Sequence, residues 1–345
     1  MLANNQDKSP SITRRLIPWL NLLLVLILLA IGLWFLSGKV SLIEIGLALS
    51  HAKPLPILAG LAIVLLTSVL KAWRWQFMFA VPQQKPPFSA AYWALMLGQY
   101  VNLIVPFLRL GEIARIYALN RQTKIPMATS IGTLVVEKML DLFLLVLTIA
   151  LLTPFIILPE FIGQPGPLWW LIPVLSLLAL TFFAFETEKI TKLVQNIAAR
   201  LPNNWIQRPF RWMISGLKGL AALRSGRTSL VLVILSAVIA VLSILLPYVL
   251  FDSFGFELNL VQAALIHVVV TIAITPPSTP GKLGVFNGVV AIMLYSFGAS
   301  DDAAIISYSI VYYLVAIIPQ ILLGSIAAAK TDWHWQGNME QQQLT

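Results

Sequence analysis

From Thr228 to Phe251 the chain runs for 24 residues without one charged side chain. A helix needs about 20 mostly apolar residues to cross a hydrocarbon layer roughly 30 Å thick. Five further stretches reach or approach that length: 17–36, 55–79, 127–152, 167–185 and 303–329. Only 11% of the 345 residues are charged and 59% are apolar, whereas about a quarter are charged in a soluble domain. A soluble enzyme, a disordered chain and a nucleic-acid binder are excluded on these figures. The net charge of +9 fits Lys and Arg gathered in cytoplasmic loops. There is no Cys and there are only three scattered His, so no disulfide, thiolate site or metal cluster is expected, and no cofactor. Arg14 and Arg15 precede the first stretch, but its apolar run is too long for a signal peptide and no cleavage site follows Leu36. It reads as an uncleaved span.

Two other apolar regions are broken by Pro and Gly. One is 88–120, interrupted at Pro106 and again at Gly111; the other is 260–299, interrupted by Pro276-Pro277-Ser278-Thr279-Pro280-Gly281. Each could be two crossings or a re-entrant hairpin of two half-helices. Charge favours hairpins. If 88–106 crossed fully, Arg109, Arg115, Arg121 and Lys124 would lie outside; a hairpin keeps them at the cytoplasmic side. With two hairpins and six spans, only Lys39 and Lys53 are basic residues outside, against nineteen inside, with Lys138 and Lys282 in the membrane. The expected fold is an all-α polytopic membrane protein with about six spans, two re-entrant hairpins and both termini cytoplasmic.

Matching Leu110-Gly111 with Leu283-Gly284 gives an offset of 173 residues, which also sends 55–79 onto 228 and 127–152 onto 300–325. The expected organisation is a segment 1–16, a membrane domain 17–330 in two inverted halves (about 17–152 and 167–329), and a polar tail 331–345. The loop 186–227 carries eight basic and two acidic residues and reads as an amphipathic helix on anionic lipid or an ordinary positive loop. Broken segments at matching places in inverted halves point to a transporter's binding site.

Three groups of residues could carry chemistry. In the first hairpin a helix is expected to begin after Pro106, and its unpaired N–H groups, with Arg109 and Arg115, suit an anion. Glu112 is i,i+3 from both and could neutralise them; a snorkelling rim is the alternative. In the second, Gly281 and Gly284 would allow close backbone approach, a helix would start near Leu283, and Lys282 is the hairpin's cation. The third is Glu137-Lys138-Met139-Leu140-Asp141 inside 127–152. Glu137 and Asp141 share a face, Lys138 can reach Asp141 at i,i+3, and Arg74 or Arg109 are expected partners. Arg74, between Trp73 and Trp75, reads equally as an interfacial anchor. Tyr312, Tyr313 and His267 read as packing residues.

Trp73-Arg74-Trp75, Asn102, Pro106, Gly111-Glu112, Arg115, Glu137-Lys138, Asp141 and Pro280-Gly281-Lys282-Leu283-Gly284 together resemble the flippase-like family named after the transmembrane region of lysylphosphatidylglycerol synthase. The likeness spans about 10–330. It implies a role in moving or modifying lipids, with Asn102, Pro106, Gly111, Glu112, Arg115, Glu137, Lys138, Asp141, Pro280, Gly281 and Gly284 as its functional residues. Asn287 departs from the acidic residue that many relatives carry there. Nothing like a soluble aminoacyl-transferase domain follows residue 330, so lipid aminoacylation is not expected. The leading expectation is a plasma-membrane lipid translocase that holds an anionic head group between the hairpins. A transferase using a polyprenyl-phosphate donor and a non-catalytic lipid-binding partner of another membrane enzyme are the alternatives. With no ATP-binding motif, transport would be passive, gradient-driven or energised by a partner.

Overall fold

The computed structural model describes residues 42–79, 85–105, 110–155, 226–275 and 280–331, with 175, 191, 192 and 194–196 in addition. The stretches 17–36 and 167–185, most of the loop 186–227, and Pro106 and Arg109 lie outside the described residues. The described α-helices are α1 (Leu42–Ser50), α2 (Pro54–Phe77), α3 (Phe88–Ile104), α4 (Leu110–Thr123), α5 (Met127–Leu152), α6 (Gly226–Phe251), α7 (Leu260–Ala273), α8 (Val285–Ser296) and α9 (Asp302–Lys330). There is no strand among the described residues, and the chain is an all-α membrane protein. Helices α2, α5, α6 and α9 coincide within three residues with four of the expected spans. Helix α1 falls in a segment that the apolar pattern left as a loop.

Three described helical stretches are long and apolar enough to cross a bilayer: Pro54–Phe77, Gly226–Phe254 and Asp302–Lys330. Helix α6 is apolar on every side, so burial cannot be read from its pattern. One side, with Leu232, Ser236, Ile239, Leu246 and Leu250, is buried; Leu230, Val233, Ile234, Val238 and Val241 are exposed. Such a helix suits a surrounding of lipid, where packing rather than water exclusion selects the inner face. Helices α2 and α6 are antiparallel. Gly60, near the start of α2, faces Leu246 and Leu250 near the end of α6, while Arg74 near the end of α2 reaches Ser236 in the first half of α6.

Both interrupted regions form helical hairpins. In the first, α3 turns back into α4, and Gly98 lies against Gly111 and Arg115. The sequence suggested a second break at Gly111. Instead the helix begins at Leu110 and Gly111 sits in its first turn, where a methyl group would collide with the Gly98 carbonyl and the Asn102 side chain. The two helices can cross only because that position is bare. In the second hairpin α7 leads through a 3-10 turn at Pro280–Lys282 into α8, which starts at Val285, two residues after Leu283. Gly281 (φ 66°) and Gly284 (φ 78°) supply left-handed backbone here. No described residue lies within 4 Å of a Cβ on Gly284, so among the described residues it serves the turn and not close approach.

The starts of α6, α7, α8 and α9 follow those of α2, α3, α4 and α5 by 172, 172, 175 and 175 residues. Packing repeats with the order. Helix α2 packs on α3 as α6 does on α7, α3 on α9 as α7 on α5, and α9 on α2 as α5 on α6. Because the matched helices α2 and α6 are antiparallel, the two halves run in opposite directions.

The ends of the bundle follow from its contacts. At one end, Lys330 closing α9 lies 4.1 Å over the Trp93 ring near the start of α3, and Lys85 lies 4.4 Å over Phe77 at the end of α2. At the other, Lys53 before α2 pairs with Asp252 after α6 at 2.7 Å, and Tyr295 of α8 bonds Asp302 of α9 at 2.7 Å. The first hairpin therefore has its open end at the former and the second at the latter. Between the two ends, α3 of the first hairpin packs on the Pro280–Lys282 turn of the second.

Candidate functional site

Glu137 stands at the centre of the site. It is buried on α5, and Arg115 of α4 grips it with two hydrogen bonds, Nη1 to Oε1 at 3.2 Å and Nη2 to Oε2 at 2.8 Å. Arg74 of α2 approaches its other side at 3.9 Å and donates to Asp141 at 2.7 Å and to Ser236 Oγ of α6 at 3.0 Å. Glu112 lies 4.0 Å from Arg115 and 3.0 Å from Lys138. The result is one line of alternating charge: Asp141, Arg74, Glu137, Arg115, Glu112, Lys138. Arg74 and Arg115 are only 2% and 3% exposed, while the terminal side chains Asp141 and Lys138 are 44% and 49% exposed. Charged groups cross the middle of an otherwise apolar helix at a tolerable cost when they are paired in this way. Consistent with its three charges, α5 is absent from the stretches that qualify as spans on composition.

Two expectations about these residues change. Lys138 does not bind Asp141: Glu112 takes Lys138 and Arg74 takes Asp141, because each side chain meets a neighbouring helix within reach. Arg74 is no interfacial anchor. Trp73 is 47% exposed, but Arg74 and Trp75 are turned inward. The Trp75 ring lies 3.7 Å from the Arg115 guanidinium carbon, and its Nε1 donates to Thr133 Oγ1 at 2.8 Å. A cation stacked on a ring and held by a bidentate carboxylate has little freedom to leave. Ser236, Thr133 and Trp75 belong to this site and were not singled out as site residues from the sequence. In the sequence nothing sets Ser236 apart from Ser229 and Ser243 of the same span.

The hairpin tips form the second part of the site. Asn102 Oδ1 accepts from Gly111 N at 2.8 Å, which satisfies one of the open donors at the start of α4. Tyr313 of α9 donates to the Gly281 carbonyl at 2.8 Å, and Asn287 Nδ2 donates to the Ser309 carbonyl at 3.0 Å. Tyr312 packs edge-on against Phe286, as a packing residue would. Lys282 adopts left-handed backbone at φ 62°, an unusual conformation for a side chain with a Cβ. The structure thus brings Arg74, Glu112, Arg115, Glu137, Lys138 and Asp141 into one network. Asn102, Gly111, Pro280, Gly281, Lys282 and Gly284 lie at or near the tips. Among the described residues no group of three or more His, Cys, Asp or Glu could hold a metal ion.

Comparison with known proteins agrees with this architecture. The family described as the lysylphosphatidylglycerol synthase TM region matches residues 19–324. A UPF0104 membrane protein of Methanothermobacter thermautotrophicus is 24% identical over 311 residues, 84% of this chain and 90% of the relative. A UPF0104 membrane protein of Methanocaldococcus jannaschii is 23% identical over 315 residues, 87% of this chain and 93% of that one. No solved structure shows a significant match. With nearly nine-tenths of its length matched, the chain belongs to the lysylphosphatidylglycerol synthase transmembrane-region family.

Proposed function

We propose that the protein is a plasma-membrane lipid translocase, with both termini cytoplasmic, that carries an anionic head group past two re-entrant hairpins. The observation that carries this reading is the contact between two oppositely directed broken hairpins, where α3 packs on Pro280–Lys282. Irregular backbone at membrane depth is tolerated only where protein or water covers it, and in inverted-repeat transporters such breaks line the substrate path. Acyl chains would stay in the bilayer while the head group passes along the hairpins.

On this reading Arg115 does not meet the substrate directly. Arg115 is committed to Glu137 and Trp75, so its part in this reading is to hold the first hairpin on α5. Leaflet exchange in proteoliposomes tests the proposal. Head-group-labelled phosphatidylglycerol in the inner leaflet should become accessible to a membrane-impermeant quencher faster with the protein than in empty vesicles. Equal rates for every anionic lipid tried would sink translocation and favour a lipid-binding partner of another membrane enzyme.

A further inference from the structure

The six charges in the line Asp141 to Lys138 sum to zero, and each has an opposite neighbour within 4.0 Å. A seventh charge stands beside them. Lys71 lies on α2 three residues before Arg74 and is half-buried. It is within electrostatic reach of Asp141, Arg74, Glu137 and Lys138, and of His267 on the second hairpin. No other described residue gives Lys71 a hydrogen bond or ion pair. The carboxylates around it are already taken by Arg74, Arg115 and Lys138. Two further donors, Nε of Arg74 and Nε of Arg115, are buried without an acceptor among the described residues. Among the described residues the cluster therefore holds one surplus positive charge and spare donors, in a setting where an unpaired charge is costly.

We propose that Lys71 is the anion ligand of this protein and that it binds the phosphate of a phosphodiester monoanion. One negative charge restores neutrality, whereas a dianion would overshoot and a neutral group would leave the surplus in place. A phosphodiester is ionised at any physiological pH and offers several acceptor oxygens. Position supports the assignment as well: Lys71 is within electrostatic reach both of the fixed charge line and of His267 on the second hairpin, so a head group bound there would be near both halves. The inference rests on the translocase reading for its lipid source but not for its chemistry.

The test uses the full chain purified in detergent, titrated separately with dioleoyl phosphatidylglycerol and with the soluble diester glycerophosphoglycerol. Lys71→Met should lower affinity for the lipid at least tenfold, Lys71→Arg should stay within threefold, and Lys85→Met, at an exposed site, should match the parent. Ligand-free Lys71→Met should melt at or above the parent temperature, because it loses a surplus charge; lost binding then cannot be misfolding. Parent-like lipid binding by Lys71→Met, or a lower ligand-free melting temperature, overturns the assignment. Equal binding of glycerophosphoglycerol upholds Lys71 and identifies the ligand as a soluble diester. Lys71-dependent lipid binding without leaflet exchange by the parent upholds the site while the translocase reading falls.

Discussion

A carboxylate between two guanidiniums is stable in a membrane only while all three keep their charge and place. Glu137→Gln leaves Arg74 and Arg115 buried with one fewer counter-ion, and the expected loss is about 3–5 kcal/mol of stability. Lys138→Gln removes a half-exposed end of the same line and should cost about 1 kcal/mol or less. Thermal melting of both variants in one detergent checks the contrast; equal losses would mean that burial does not grade this network. Arg115→Gln belongs with Glu137→Gln and not with a mild binding defect, since it breaks a bidentate pair and empties the face of Trp75. The presence of charges at 137, 138 and 141 was plain in the sequence, as was their need for partners. Which partners was not legible, because pairing depends on helices 22, 67 and 162 residues apart in the chain.

At the level of elements, long apolar runs and proline breaks carry most of the information. Helices α2, α5, α6 and α9 could be placed from hydropathy because crossing a bilayer demands length and little else. The hairpins could be placed because Pro106 and the 276–281 segment end helices from either side. Gly111 was harder: a glycine that lets two helices touch looks the same in a sequence as one that breaks a helix. Replacing it distinguishes the two. Gly111→Ala should prevent α3 and α4 from closing and sharply reduce the folded yield, read as monodisperse protein after detergent extraction. Gly255→Ala, at a glycine with positive φ and no described residue within 4 Å of its Cβ position, should cost only about 1–2 kcal/mol of backbone strain. The antiparallel contact of α2 and α6 has a direct test, since the chain has no Cys of its own. Gly60→Cys with Leu246→Cys should cross-link under mild oxidation, and Gly60→Cys with Leu232→Cys should not.

Across the whole molecule the two halves share a plan but differ in chemistry. Reporter tags after Lys85 and Gln122 should both be cytoplasmic, and tags after Phe256 and Asp301 both external; a tag at 122 on the outside would remove the first hairpin. The match in element order, with opposite direction, was visible as an offset of 173, but the unequal fastening of the halves was not. The first hairpin is tied down by Glu112 and Arg115 to α5. The second is held to α9 by Tyr313 on Gly281, Asn287 on Ser309 and Tyr295 on Asp302, with apolar packing around them. Two of these three bonds join neutral groups, and such bonds are worth roughly half of the charge-assisted bidentate pair that Arg115 makes with Glu137. On the proposed translocase reading, the firmly fastened first half is the stator and the second half the rotor. Amide exchange should therefore run faster through 260–296 than through 88–123, and the leaflet that the second hairpin faces should be the one whose access opens and closes.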